Sequence, residues 1–293
     1  MSLFIHKPGI QALIQDRGRV GYRHLGIPES GPMDIHSFEL AQLLCGNTGQ
    51  EALVEFTLHG AHIELEKASV IALTGGGATA TINNKKIDFN TTHSVEKGDH
   101  LKLLASEFGC RTYLAIQGGL KINAELGSCS TYTPAQLGGI EGRALKKGDR
   151  IEFNTGANKK SAINNMQINI DNPALEKNEI AIRCHKGPEW EWFDNATQSQ
   201  LVKENWRISP QSNRMGYQLQ GSPLLLKEKT ELISTAVMPG IIQVTPSGMP
   251  IILGADAQTI GGYPRIARVH TPDMSILGQC RPGILLRFQL LDK

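Results

Sequence analysis

Polar residues able to bind or react concentrate in two stretches of this chain. The first is Gln15-Asp16-Arg17-Gly18-Arg19, a glycine-punctuated loop in which Asp16 and Arg19 stand at i and i+3. A carboxylate and a guanidinium so spaced can face a ligand together, Asp16 as a catalytic group and Arg19 as a substrate anchor. They can equally pair with each other and fix the loop. The second stretch runs from Arg214-Met215-Gly216-Tyr217 to Asp256-Ala257-Gln258-Thr259-Ile260-Gly261-Gly262-Tyr263. The planar fork of Arg214 suits a substrate carboxylate or phosphate, and Gly216 beside it permits close backbone approach. The competing reading is a buried Arg214 paired with a core carboxylate. Asp256 is the candidate general base. Tyr217, Gln258, Thr259 and Tyr263 are candidate substrate contacts, the last three gathered between the apolar run Pro250-Ile251-Ile252-Leu253 and a Gly-Gly turn, as expected of a site rim carried on a rigid strand. Gln243 interrupts the apolar run Ile241-Ile242-Gln243-Val244 and needs a hydrogen-bond partner if buried, from ligand or from backbone.

Other polar residues read as structural. Asp34 suits a helix N-cap, and Asn47 after Gly46 a turn residue that bonds the backbone. The hydroxyls of Ser128, Ser130, Thr131 and Tyr132 are expected to cap short helices. Cys129 reads as a neutral packing residue, having no evident base beside it. His59 and His62 are separated by Gly60-Ala61 and have no third ligand nearby in the sequence, so no metal site is expected. There is no Walker-type phosphate loop, dinucleotide fingerprint, G-x-S-x-G elbow or H-E-x-x-H pair. Nor is there a Met-Lys-Met biotinylation site, so any biotin must arrive on another chain.

The elements that position these residues are mostly strands. Period-two alternation marks Ile63-Glu64-Leu65-Glu66, Leu101-Lys102-Leu103, Ile151-Glu152-Phe153, Ile180-Ala181-Ile182 and Leu286-Arg287-Phe288. Turn signals lie between them, at Gly75-Gly76-Gly77, Asn83-Asn84, Gly118-Gly119, Gly138-Gly139 and Pro246-Ser247-Gly248. Three short helices are expected: from Asp34 to Gly46, after Thr197 in a Thr197-Gln198-Ser199-Gln200 capping box, and after Thr271-Pro272. Lys97-Gly98-Asp99 and Lys147-Gly148-Asp149 echo each other, which reads as a recurrent turn rather than a repeat. An Asn-rich stretch after Phe153 divides the chain into an N-terminal half, 1–155, and a C-terminal half, 178–293, joined by a polar linker over 156–177.

Composition excludes several classes. The 293 residues carry 30 Lys+Arg against 28 Asp+Glu, a net charge of +2, which leaves no basic surplus for a nucleic-acid backbone. At 40% hydrophobic and 20% charged residues the chain can bury a core and is unlike a disordered one. Five scattered cysteines make neither a disulfide framework nor a zinc ribbon. With no apolar stretch of membrane-spanning or signal-peptide length, the expected compartment is the reduced cytoplasm.

Three blocks carry a family resemblance. They are Gln15-Asp16-Arg17-Gly18-Arg19-Val20-Gly21-Tyr22 with Gly26-Ile27-Pro28 and Ser30-Gly31-Pro32-Met33-Asp34; Leu126-Gly127-Ser128-Cys129-Ser130-Thr131-Tyr132 with Leu137-Gly138-Gly139; and Ser212 to Tyr217 followed by Pro239 to Val244 and Asp256 to Pro264. In this order they resemble the carboxyltransferase C/D family, which includes the C subunit of 5-oxoprolinase and the carboxyltransferase region of urea amidolyase. The resemblance implies a mainly β protein of two linked cyclophilin-like β-barrel halves. It also implies a homologous-fold partner, the B subunit, and a third, the A subunit, with which the lactam of 5-oxo-L-proline is opened to glutamate at the expense of ATP. The alternatives are biotin-dependent carboxyl transfer to urea or a similar amide, with biotin in trans, and non-catalytic regulation of a kinase-inhibitor-like B subunit. Cys129 departs from the family's usual Arg, and Thr235-Ala236 from its usual Glu-Gly.

Overall fold

A computed structural model of the chain describes residues 2–105, 108–154, 178–228 and 230–291; the linker expected over 156–177 lies outside them. The described residues form two compact units, the first of residues 2–20 and 30–154, the second of 21–29 and 178–291. Residues 21–29, expected in the N-terminal half, thus belong to the second unit, where Arg23 Nη2 donates to the Val237 carbonyl.

The first unit contains β1 (Ser2–Pro8), β2 (Gln11–Gln15), helix α1 (Ile35–Leu44), β3 (Leu53–Thr57), β4 (Ala61–Leu65), β5 (Ser69–Gly75), β6 (Thr79–Ile82), β7 (Lys85–Ile87), β8 (Thr91–Val95), β9 (Asp99–Leu104), β10 (Arg111–Ile116) and β11 (Arg150–Glu152). These strands make a six-stranded sheet, β11-β1-β4-β9-β6-β7, and a five-stranded sheet, β2-β3-β10-β5-β8. Alternation decides which face each presents. Leu3, Ile5, Ile63, Leu65, Leu101 and Leu103 of the first sheet share one core with Ile14, Val54, Phe56, Leu73, Leu114 and Ile116 of the second. The opposite face of the five-stranded sheet is covered by α1, whose Phe38, Ala41 and Leu44 pack with Leu53, Ala72, Tyr113 and Ala115. β10 is therefore buried on both faces. The outer face of the six-stranded sheet carries His62, Glu64, His100 and Lys102.

Helix α1 starts as its sequence predicts, with the Asp34 carboxylate accepting from Ser37 N at 3.1 Å. The two Gly-Asp echoes build the same turn: Asp99 accepts from Glu96 N and Asp149 from Lys146 N, each at 2.8 Å. Asn47 holds backbone as expected, donating to the Ile116 carbonyl and accepting from Gly118 N.

The second unit contains β12 (Glu179–Lys186), α2 (Asn195–Lys203), β13 (Trp206–Ile208), β14 (Gly216–Gln220), β15 (Thr235–Ala236), β16 (Ile241–Val244), β17 (Pro250–Leu253), β18 (Ile260–Gly261), β19 (Arg265–Val269), α3 (Asp273–Gly278) and β20 (Leu285–Leu290). Seven of these strands close into a barrel in the order β12-β19-β16-β17-β14-β13-β20. Closure comes from the parallel pairing of β12 with β20, Glu179 to Cys184 opposite Leu285 to Leu290. Ile182, Trp206, Ile208, Ile242, Ile252, Leu286 and Phe288 are fully buried. A short ribbon of β15 with β18 stands outside the barrel order. Helix α2 begins two residues before Thr197, because the Asp194 side chain accepts from Thr197 N at 2.7 Å and so takes the capping position itself.

Candidate functional site

The structure gives Asp16 and Arg19 different partners. Asp16 lies just past β2 and is 7% exposed; its Oδ1 accepts from Ser128 Oγ at 2.5 Å, Ser130 Oγ at 2.6 Å and Gly18 N at 2.9 Å. Its Oδ2 accepts from Cys129 N at 2.5 Å. Arg19 donates to carbonyl oxygens, Nε to Glu125 at 3.0 Å and Nη2 to Ser130 at 2.9 Å. The hydroxyls of Ser128 and Ser130, expected as helix caps, grip this carboxylate because the 128–131 segment runs against the end of β2. Thr131 completes the seam, donating from its backbone N and its Oγ1 to the Ile14 carbonyl at 2.9 and 3.0 Å. Gly138 is required here: its φ is +67°, and a Cβ would lie 2.1 Å from the Ser130 carbonyl oxygen. Asp16 and Arg19 thus tie two loops together. Burial, aided by the Asp16 charge, pushes the Cys129 thiol up to about 11, so it carries no thiolate at neutral pH.

Arg214 and Asp256 sit on loops that the pairing of β14 with β17 brings together, Gly216 being opposite Leu253. Arg214 Nε meets Asp256 Oδ2 at 2.7 Å and Nη2 meets Oδ1 at 2.9 Å, with each side chain 5% exposed. Asp256 N also donates to the Arg214 carbonyl at 3.0 Å. Of the two readings open for Arg214, the buried pair is the one observed, and its partner is the residue expected as general base. Tyr217, on β14 opposite Ile252, is 3% exposed and lies inside the wall rather than on a rim.

The remaining candidates do converge. Gln243 on β16 is 2% exposed; its Nε2 donates to the Tyr263 carbonyl at 3.1 Å, and its Oε1 accepts from Gln258 Nε2 at 3.4 Å. Gly261 makes room for this amide, since a Cβ there would lie 2.8 Å from Gln243 Nε2. Gln258 and Thr259 then line a cavity of about 510 Å³ with Arg23, His24, Gly26, Ala236 and Ile260. A larger cavity of about 670 Å³, with Tyr263 on its wall, is lined by Leu224 to Leu226, Val244 to Pro246 and other mostly apolar residues. The smaller cavity has Arg23, Gln258 and Thr259 among its lining residues, whose guanidinium, amide and hydroxyl are groups that can bind a small anion, and is the candidate site for that reason.

Arg23 and His24 are not among the residues that sequence pattern singles out. They lie in a single 3-10 turn, Arg23–Leu25, closed by Gly26 at φ +81°, whose N–H returns to the Arg23 carbonyl. The local signal is two adjacent basic side chains between Gly21 and Gly26.

The chain matches the carboxyltransferase domain, subdomain A and B, over residues 25–290. It is 38% identical to the C subunit of 5-oxoprolinase from Escherichia coli over 98% of this chain and 90% of that protein. Identity to the urea amidolyase of Saccharomyces cerevisiae is 32%, over 98% of this chain but 16% of that protein. Among solved structures, the Kluyveromyces lactis urea amidolyase superposes with a TM-score of 0.91 at 28% identity, covering 99% of this chain. The chain spans about a fifth of that larger polypeptide, 19%.

Proposed function

The chain belongs to the carboxyltransferase domain family, subdomains A and B, and on that premise we propose that it is the C subunit of an ATP-dependent 5-oxoprolinase, active with partner subunits. The observation that carries this reading is the 38% identity to the E. coli 5-oxoprolinase C subunit over 90% of that protein's length. In the reaction, 5-oxoproline, ATP and two waters give glutamate, ADP and phosphate. Phosphorylation of the lactam carbonyl oxygen by ATP releases ADP and activates the carbon; one water adds there, the ring C–N bond breaks as the nitrogen takes up a proton, and a second water hydrolyses the resulting γ-glutamyl phosphate to glutamate and phosphate. A homologous-fold B subunit, together with the A subunit, completes the assembly, and ATP is consumed by the complex.

Within this subunit the cavity beside Gln258 supplies the substrate contacts. Arg23 holds the substrate carboxylate with the help of His24, while the Gln258 amide and the Thr259 hydroxyl orient the lactam. Gln243, held by Tyr263, positions Gln258. Arg214 and Asp256 act as positioning residues that lock the loops before β14 and after β17, and Asp16 and Arg19 do the same for theirs. Proton transfer falls to groups the partner subunits bring.

The test is reconstitution of this chain with cognate A and B subunits and measurement of ATP-dependent glutamate formation. Arg23→Met is expected to lower kcat/KM at least tenfold while co-purification persists. Assembly without turnover of 5-oxoproline sinks the reading. The urea amidolyase relatives favour a second, biotin-dependent carboxyl transfer to an amide. Inhibition of the reconstituted reaction by avidin would select that reading.

A further inference from the structure

The outer face of the six-stranded sheet gathers three histidines from three strands. His6 belongs to β1, His62 to β4 and His100 to β9, adjacent strands in the order β1-β4-β9. His62 is opposite Lys102 and His100 is opposite Glu64, so both imidazoles stand on the face opposite the buried Ile63 and Leu101. His6 arrives by a bulge. Ile5 pairs with Ile63 and Lys7 with His62, which leaves His6 as the extra residue of β1 and turns its ring onto the same patch.

The rings stack: His6 and His62 lie 4.6 Å apart between centroids and 24° from parallel, and His62 and His100 are 5.1 Å apart. One nitrogen from each ring falls within 4.8 Å of the others, and His62 Nε2 is 3.1 Å from His100 Nδ1. Two nitrogens bound to one tetrahedral zinc at about 2.0–2.1 Å are separated by about 3.3 Å, so the observed spacing is near that of a chelating pair. Glu64 Oε2 is 2.9 Å from His6 Nε2, a carboxylate–imidazole contact that orients the ring and supplies negative charge. Lys7 and Lys102 bring opposing charge, but the Lys102 ammonium is drawn to Asn84 Oδ1 at 2.9 Å.

We propose that His6, His62 and His100 form a binding site for one divalent transition-metal ion of the zinc class. The residues are half-buried, so the ion is held by three imidazoles with a coordination position left for water. Spacing along the chain does not reveal the site. His59 is the near neighbour of His62 in sequence, whereas its companions in space, His6 and His100, lie 56 and 38 positions away.

Full-length, metal-stripped protein titrated with zinc chloride in a calorimeter tests this. Saturable uptake of one equivalent is expected, with His62→Ala and His100→Ala each weakening it at least tenfold. Cobalt(II) in place of zinc is expected to give the visible spectrum of a nitrogen-ligated tetrahedral ion, lost in the same variants. His185→Ala removes one of a two-histidine pair on the second unit, His185 Nε2 to His270 Nδ1 at 3.1 Å, and is expected to change nothing. Unaltered zinc uptake in His62→Ala and His100→Ala, with folding verified by circular dichroism, overturns the proposal. So does the absence of saturable binding by the unmodified chain, which would leave the cluster as a stack of rings covering the sheet.

Discussion

Asp16 with Arg19 and Arg214 with Asp256 are the same two chemical groups put to opposite uses. In the first unit the carboxylate and guanidinium are three positions apart and take different partners; the aspartate collects hydroxyl and amide donors while the arginine donates to carbonyls. In the second unit they are 42 positions apart and form a bidentate pair. Closeness along the chain therefore says little about ionic partnership. A loop folded against another segment offers backbone partners to each group separately, whereas two loops at the end of a strand pair place side chains face to face.

The widest gap between the two sites is expected from truncation in the first. Asp16→Ala leaves four donors without their acceptor, each costing about 1–3 kcal/mol, so a loss of roughly 4 kcal/mol or more is expected in denaturant unfolding. A loss below about 1 kcal/mol would show that water replaces the carboxylate freely. In the second unit, Arg214→Met leaves a buried unpaired Asp256 and is expected to cost about 3–5 kcal/mol. The double variant Arg214→Met/Asp256→Leu should recover most of that, since it removes both charges of the pair. Failure of the double variant to recover would mean that Arg214 serves more than Asp256. Gly261→Ala probes the wall beside the candidate cavity: its Cβ displaces the Gln243 amide, for an expected cost of about 1–2 kcal/mol and a larger proportional fall in turnover than in partner binding.

The smallest effect concerns pH. Burial would raise the Glu189 carboxyl, but bonds from Arg265, at 2.8 Å from Nε and 2.7 Å from Nη2, hold it below the usual carboxylate range. Asp149 is likewise lowered against its burial by Arg143. A carboxylate depressed in the folded state contributes stability above its unfolded value, and that contribution disappears as pH falls through the folded one. The contribution of these two carboxylates should thus be constant above about pH 5 and decline below it, so Arg265→Met is expected to make the acid decline of the melting temperature shallower. An unchanged slope would assign acid sensitivity to other groups.

How much of the molecule is legible in its sequence depends on the range of the interaction. Alternation locates β4, β9, β12 and β20, because each has one face buried and one wet. It misses the central strand β10, Arg111–Ile116, which is buried on both faces and so does not alternate. Local caps are readable where side chain and backbone are three residues apart, as at Asp34, and misplaced where Asp194 outcompetes Thr197. The cavity is half legible. Gln258 and Thr259 stand out as polar residues after an apolar run, but Arg23 reaches the same cavity only through the tertiary placement of residues 21–29.

That placement sets a schedule for biosynthesis. Arg23 leaves the ribosome long before Val237, whose carbonyl it binds 214 positions later. At about 5–20 residues per second, the wait is roughly 10–40 s. Throughout that interval the segment bearing Arg23, His24 and the exposed Leu25 has no finished unit to join, while the first unit, which does not include it, can already fold. Completion of the candidate cavity therefore waits for residues 236–260 to emerge, and a prematurely terminated chain lacking Val237 would display the Arg23 segment without its seat.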